Sequence, residues 1–101
     1  MFAKKNRFSF RGSLPKNVFH SLSFTVRYGK NDEGLRVAVV VSKRVDKRAT
    51  VRNKIKRRIL DSIREKVRME ELLDLIFYVK KNVMSSEDLE NEIKTVLSKI
   101  K

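Results

Sequence analysis

The residues whose types and spacing could do chemistry are concentrated in one stretch, residues 43–58. This stretch contains nine Lys and Arg residues against a single acid, Asp46. Guanidinium and ammonium groups carry positive charge and donate hydrogen bonds, which suits them to phosphate groups. The composition predicts a surface that meets a polyanion, and nucleic acid is favoured over a membrane surface or a role in solubility alone. The nine cations are Lys43, Arg44, Lys47, Arg48, Arg52, Lys54, Lys56, Arg57 and Arg58.

The charges in this stretch repeat at helical spacing. Arg48, Arg52 and Lys56 follow one another every four residues, and each like-charged pair at that spacing destabilises a helix by about 0.2–0.5 kcal/mol. A bound polyphosphate would offset this repulsion, whereas a helix face that contacts only water usually mixes the two signs. Asn53 interrupts the run. Because its side chain offers donors and acceptors, it could contact a nucleic acid or simply lie exposed, and both interpretations stay open.

Side chains for protein-based catalysis are scarce. The sequence has one histidine, His20, and no cysteine. A nuclease that works alone needs a cage of carboxylates for a metal ion or a histidine that transfers protons, and no spacing of the acids indicates a cage. We therefore predict neither a catalytic residue nor a metal ligand, and we expect His20 to be structural. A protein nuclease acting alone ranks last among the candidate functions.

The positive charge is unevenly distributed along the 101 residues, whose formal net charge is +13. Residues 1–68 carry 20 Lys and Arg against 5 Asp and Glu, whereas residues 69–101 carry 5 against 7. The length suits one domain over residues 1–101. The longest apolar run, Val37–Val41, is too short to cross a bilayer, and we expect no signal peptide. These features predict a cytoplasmic protein with no membrane partner and no small-molecule substrate.

Local patterns predict strands before the basic stretch. Residues 1–18 are predicted to form an irregular arm, because they contain a glycine and a proline. Residues 20–28 alternate apolar and polar side chains, as in a strand with one buried face. A turn at 29–34 would join this strand to a second one at 35–42 as an antiparallel hairpin. The second strand is rich in β-branched residues, which predicts that it lies at the centre of the sheet.

The alternation in the first strand separates two sets of side chains. One parity is apolar and is predicted to face the core, and the other is polar. The apolar set is Leu22, Phe24, Val26 and Tyr28, and the polar set is Ser23, Thr25 and Arg27.

The following patterns are helical and then extended again. Apolar residues recur every four positions from Val51 to Val67, which predicts a helix over residues 49–68. A strand at 75–80 follows, and then a last helix that Ser85 or Ser86 could cap. The order strand, strand, helix, strand, helix predicts an α+β fold, a small sandwich of one sheet and its helices.

Two cations of the basic helix fall inside its apolar arc on a helical wheel. These residues are Arg52 and Lys56. Either the first half of the helix overhangs the edge of the sheet, so that Arg52 points along that edge, or the long side chains snorkel outward from the interface.

Two segments in this order carry a resemblance to a known family. They are Val-Val-Ser-Lys-Arg-Val at 40–45 and Val-Arg-Asn-Lys-Ile-Lys-Arg-Arg at 51–58, with Asp74–Lys81 resembling the strand before a last helix. The sequence resembles the protein component of bacterial ribonuclease P over roughly residues 20–100. The resemblance implies a mixed sheet of the ribosomal protein S5 domain 2-like kind. In this fold, helix 49–68 makes a left-handed crossover between parallel strands, against the usual right-handed preference.

The resemblance also implies a function and its partners. Such a protein binds the ribonuclease P RNA and helps it hold the 5′ leader of precursor tRNA while the leader is removed. Mg²⁺ held mainly by the RNA would do the hydrolysis, with no organic cofactor. A ribosomal or other structural RNA-binding protein is the alternative. The residues expected to face RNA are Lys43, Arg44, Lys47, Arg48, Arg52, Asn53, Lys54, Lys56, Arg57 and Arg58.

The leader cleft is where the sequence departs from the family. The N-terminal segment is short and broken where the family usually has a helix with aromatic residues, and Arg27 stands where the family often has Tyr. Lys54 stands at the third position of the motif, where the family usually has Arg, and it lacks the planar donor geometry of a guanidinium. A role in the core is the alternative for each aromatic residue. The residues predicted to line the cleft are Phe8, Phe10, Phe19, Thr25 and Arg27.

Overall fold

The chain folds as four strands and two helices in a computed structural model that describes residues 14–68, 71–83 and 88–100. The sheet has the order β1-β2-β4-β3. In chain order the elements are β1 (Asn17–His20), β2 (Phe24–Lys30), β3 (Arg36–Val40), α1 (Ala49–Lys66), β4 (Leu73–Val79) and α2 (Leu89–Ile100).

The sheet is mixed, and β4 lies at its interior. β4 runs antiparallel to β2 and parallel to β3, so α1 connects two parallel neighbours, as a parallel pair requires. The expected α+β fold with a mixed sheet is confirmed. The left hand of the crossover stays a prediction.

The predicted hairpin between the first two long strands is wrong. β2 and β3 follow one another in the chain, but β4 lies between them, and β3 is an edge strand. The β-branched residues of β3 predicted a central strand, but such residues also occur in this edge strand of the sheet. β4 shows the central position more clearly, because six of its seven residues are buried, whichever face they occupy.

The first predicted strand divides into two. Residues 17–20 form β1 and residues 24–30 form β2, with a turn at 21–23 between them. Residues 17 and 18 therefore do not belong to an irregular arm, and residues 1–13 of that arm lie outside the described residues. Leu22, predicted to face the core, is 77% exposed because it lies in the turn. Ser23, predicted on the polar face, is buried there instead.

One face of the sheet packs against both helices and forms the core. Phe24 and Val26 of β2 are fully buried on this inner face, and the Phe24 ring meets Phe77 of β4 edge-on at 5.4 Å between centroids. The predicted helical stripe supplies the opposing layer, since Ile55, Ile59 and Ile63 are also fully buried. The apolar face of α2 completes the core with Leu89, Ile93, Val96, Leu97 and Ile100. Each such side chain contributes about 1.5–3 kcal/mol of transfer free energy.

Two polar contacts fasten neighbouring elements, one within the sheet and one between the helices. Asp74 of β4 accepts two hydrogen bonds from the Arg36 guanidinium of β3, at 2.8 Å and 3.1 Å. Between the helices, Glu90 accepts hydrogen bonds from the buried Ser62 hydroxyl and from Lys66. α1 ends at Lys66, slightly before the predicted end at 68. The predicted caps of α2 at Ser85 and Ser86 lie outside the described residues.

Candidate nucleic-acid interface

The basic segments meet at one end of the sheet. The carboxyl-terminal ends of the parallel strands β3 and β4 lie side by side, and β2 begins at the same end, since Phe24 pairs with Val79. This end therefore collects the turn at 21–23, residues 80–83 and the lead-in to α1, by which we mean residues 41–48. We call it the basic end.

Six of the predicted RNA-binding cations are exposed at this end and along the first half of α1. Within residues 14–68, 71–83 and 88–100, none of the six forms an ion pair. The acids that form ion pairs bind cations outside this group of six: Asp74 pairs with Arg36, and Glu90 pairs with Lys66. Asn53 is exposed beside them. The six cations are Lys43, Arg44, Lys47, Lys54, Lys56 and Arg57.

Arg48, by contrast, is paired with the one acid of the stretch. Asp46 accepts the Arg48 backbone N–H at 2.9 Å and its guanidinium at 3.1 Å and 3.0 Å. Asn82, beyond β4, donates a further hydrogen bond to Asp46 at 3.3 Å. The bonds from the Arg48 guanidinium, and then from its backbone N–H, lower the pKa of Asp46 to about 2. Asp46 is therefore an anion at neutral pH, and it neutralises Arg48.

Arg52 turns back onto the lead-in. Its guanidinium donates to the carbonyl oxygens of Asp46 at 3.1 Å and Lys47 at 2.8 Å, and the residue is half-buried. These bonds tie α1 to the loop that precedes it. A guanidinium has five N–H donors, so this structural role leaves Arg52 capable of a phosphate contact as well.

Arg58 points toward the segment after β4. Its guanidinium donates to the carbonyl oxygen of Val83 at 3.3 Å, and the residue is half-buried. The ten predicted residues therefore separate into seven on an open surface and three engaged with the protein, namely Arg48, Arg52 and Arg58.

Two lysines at the basic end were missed by the sequence analysis. Lys80 and Lys81 follow β4 and are exposed. The Lys80 ammonium donates to the Ser21 carbonyl oxygen at 2.9 Å, which places it beside the turn at 21–23. The predicted strand at 75–80 had located these lysines at a strand end. Only the sheet order shows that this end is also where the lead-in lies.

The predicted cleft residues do not share one face. Thr25 and Arg27 lie on the outer face of the sheet, opposite the helices, and Arg27 donates to the Pro15 carbonyl oxygen at 3.2 Å. Phe19 pairs with Val26 and packs against the core on the inner face. Phe8 and Phe10 lie outside the described residues.

Neighbours on the outer face extend the polar strip that Thr25 begins. His20 of β1 and Tyr78 of β4 pair with Thr25 from either side, and the His20 Nδ1 atom lies 3.3 Å from the Thr25 hydroxyl. From the sequence, His20 was expected to be structural and Tyr78 was not singled out, because the alternation of a single strand cannot show which residues of other strands share its face.

Other kinds of site find little support in the described part of the chain. No group of three or more His, Asp or Glu residues there could hold a metal ion. None of the helices in those ranges is long and apolar enough to cross a membrane.

The fold and the surface together define a class: a small α+β protein whose crossover helix presents a concentrated, largely unneutralised positive charge. Within that class, a sequence model of the Ribonuclease P family matches residues 2–101. The chain belongs to the Ribonuclease P family.

Two curated relatives carry the name "Ribonuclease P protein component". The relative from Mesoplasma florum is 32% identical over 92 residues, which cover 87% of this chain and 83% of the relative. The relative from Marinomonas sp. is 36% identical over 66 residues, 63% of this chain. That second match spans about half of the relative's length, at 50%. No solved structure matches the chain at a significant level.

Proposed function

We propose that this protein is the protein subunit of ribonuclease P and that it binds the catalytic RNA through the basic end and the first half of α1. The observation that carries this proposal is the group of six exposed cations without an ion-pair partner among the described residues. Exposed like charges on one helix repel each other. Phosphates would remove that cost and release their counterions.

We further propose that the outer face of the sheet takes the single-stranded 5′ leader of precursor tRNA. Thr25 and His20 offer hydrogen bonds to sugar and phosphate, and Arg27 offers positive charge. Tyr78, half-buried in the same row, offers an aromatic ring on which an unpaired base can stack. This arrangement supports a leader site without Phe19, which packs against the core.

The chemistry of cleavage would come from the RNA. Mg²⁺ held mainly by that RNA would supply Lewis-acid chemistry for the hydrolysis. The described residues do not fit a metal site of the protein's own, since their acids form no cluster. The protein's side chains would bind and orient the two RNAs, and the cytoplasm is the expected location.

A reconstitution assay tests the proposal. The purified chain is added to a bacterial ribonuclease P RNA, and cleavage of precursor tRNA is timed at low Mg²⁺, where a subunit that helps hold the substrate should accelerate the reaction. A ribosomal or other structural RNA-binding protein should give no stimulation. Cleavage by the chain without the RNA subunit would instead indicate that the protein itself is a nuclease.

A matched pair of variants tests the surface. Lys54→Ala with Arg57→Ala removes two exposed positive charges from α1, and loss of two phosphate contacts of about 0.5–1 kcal/mol each should weaken RNA binding about five- to thirtyfold. Lys94→Ala with Lys99→Ala removes the same charge from exposed positions on α2. Binding by this control should stay within about twofold of wild type. Equal effects of the two pairs would contradict the assignment of the surface to α1.

A further inference from the structure

Asp46 is the one acid among residues 43–58, and a phosphate-binding role for that stretch does not explain it. A carboxylate in a surface that meets RNA lowers the local positive potential. Yet the Asp46 side chain is only 12% exposed, whereas that of its partner Arg48 is 71% exposed. An acid that served only to adjust surface charge would not need to be enclosed by hydrogen-bond donors.

Three segments of the chain meet at Asp46. Its carboxylate holds Arg48 through both the backbone N–H and the guanidinium, and it holds Asn82 of the segment after β4. Its carbonyl oxygen accepts from Arg52, which lies in the first turn of α1. One residue therefore joins the lead-in to the helix that follows it and to a neighbouring connection at the basic end.

We propose that Asp46 is a positioning residue for RNA binding: it orders the lead-in and the Arg48 side chain against α1 before the RNA arrives. This inference rests on the proposed function. Ordering a loop and long side chains during binding costs free energy, so a surface that is ordered beforehand binds more tightly. The single negative charge costs little in return, because Arg48 already neutralises it.

The direction in which one substitution changes the RNA affinity separates this role from an electrostatic one. Replacing Asp46 with a neutral residue makes residues 43–58 more positive, and an electrostatic account expects tighter RNA binding. The positioning role expects weaker binding, since Arg48 and the lead-in lose the acceptor that orders them. The two accounts differ in direction, so the result does not depend on a small difference in magnitude.

The experiment measures the affinity of the full chain for ribonuclease P RNA at physiological salt. Asp46→Ala should weaken binding about three- to tenfold, the range expected when a long side chain and its loop must be ordered on binding. Glu65→Ala is the matched control, because it removes one exposed acid from α1 and makes the same change in charge. It should bind within about twofold of wild type, or more tightly.

A second pair of variants separates positioning from loss of the fold. In an Arg48→Ala background Asp46 has no guanidinium to order but still accepts from the backbone N–H of residue 48 and from Asn82. Asp46→Ala should therefore weaken binding by a smaller factor in that background than in wild type. General damage to the fold would weaken binding equally in both backgrounds and would overturn the proposal. Asp46→Asn keeps one acceptor oxygen and should bind between wild type and Asp46→Ala. If Asp46→Ala fails to fold, tighter binding by Asp46→Asn than by wild type is the overturning result.

Different results would refute the proposed function and the positioning role of Asp46. If the wild-type chain does not bind ribonuclease P RNA, the proposed function itself is refuted. If the wild type binds and Asp46→Ala binds equally well or more tightly, as Glu65→Ala should, only the positioning role is refuted.

Discussion

Arg52 and Arg57 lie five residues apart on α1, yet their guanidinium groups meet different surroundings. Arg52 is half-buried and donates to two carbonyl oxygens of the lead-in. Arg57 is exposed, with no ion pair in the part of the chain described here. A row of similar residues in the sequence therefore contains both residues that hold the surface together and residues that remain open to a ligand.

This difference predicts separate effects on stability. Arg52→Ala leaves two carbonyl oxygens without their donor and should lower the free energy of unfolding by about 1–2 kcal/mol. Arg57→Ala should change it by less than about 0.5 kcal/mol, as expected for an exposed position. Urea titration followed by circular dichroism measures both. If Arg57→Ala proves as destabilising as Arg52→Ala, the assignment of their roles is incorrect.

At the scale of elements, α2 holds the turn between β1 and β2. The Glu92 carboxylate accepts the Ser21 hydroxyl and the Ser23 backbone N–H, both at 2.7 Å. Burial alone would raise the pKa of Glu92, but the bonds from Ser21 and Ser23 and the charge of Lys81 outweigh it, so this pKa is lowered. A helix at the end of the chain thus fixes a turn at the basic end, next to Lys80.

The lowered pKa of Glu92 predicts how stability depends on pH. A carboxyl whose folded pKa lies below its unfolded value stabilises the fold fully above the unfolded pKa, here about 4.5. That contribution is lost as the pH falls through the folded value. Glu92→Gln should therefore cost about 1–3 kcal/mol at pH 7, and the difference from wild type should shrink below about pH 4.5.

Unfolding by urea at several pH values between 7 and 3 measures this difference. Ser21→Ala removes one of the two donors and should give a pH dependence between those of wild type and Glu92→Gln. A constant gap between wild type and Glu92→Gln across the whole range would show that the ionised carboxylate is not what holds the turn.

At the scale of the whole molecule, the charge is polarised. The exposed Lys and Arg residues within 43–58 lie at the basic end and along α1, whereas two acids of the C-terminal third, Glu90 and Glu92, are used in internal hydrogen bonds. A polarised surface of this kind raises the rate of encounter with a polyanion and orients the approach.

Polarisation predicts strong dependence of RNA affinity on salt. Each phosphate that the protein neutralises contributes about −0.7 to −0.9 to the slope of log K against log salt, so six contacts would give about −4 to −5. Lys54→Ala with Arg57→Ala should make the slope shallower by about two. The measurement is a binding titration at several KCl concentrations. An affinity that stayed flat from low to high salt would contradict an electrostatic interface.

The sequence by itself determined the features that depend on local spacing. The four-residue stripe predicted α1 because a helix brings residues i and i+4 to one face, and Ile55, Ile59 and Ile63 are buried as expected. The concentration of cations in residues 43–58 depends on no contact at all. The resemblance to the ribonuclease P family rested on residues 40–45 and 51–58, which overlap this concentration of cations.

Only the tertiary structure decided which elements are neighbours. The hairpin prediction failed because strand patterns show which side chains share a face of one strand, and they do not identify its partner. For the same reason the sequence did not predict that Lys80 and Lys81 lie at the basic end, since this follows from the position of β4 in the sheet. It also did not predict the hydrogen bond between Asn82 and Asp46. Long-range pairing depends on the free energy of the whole packed core, which no local pattern contains.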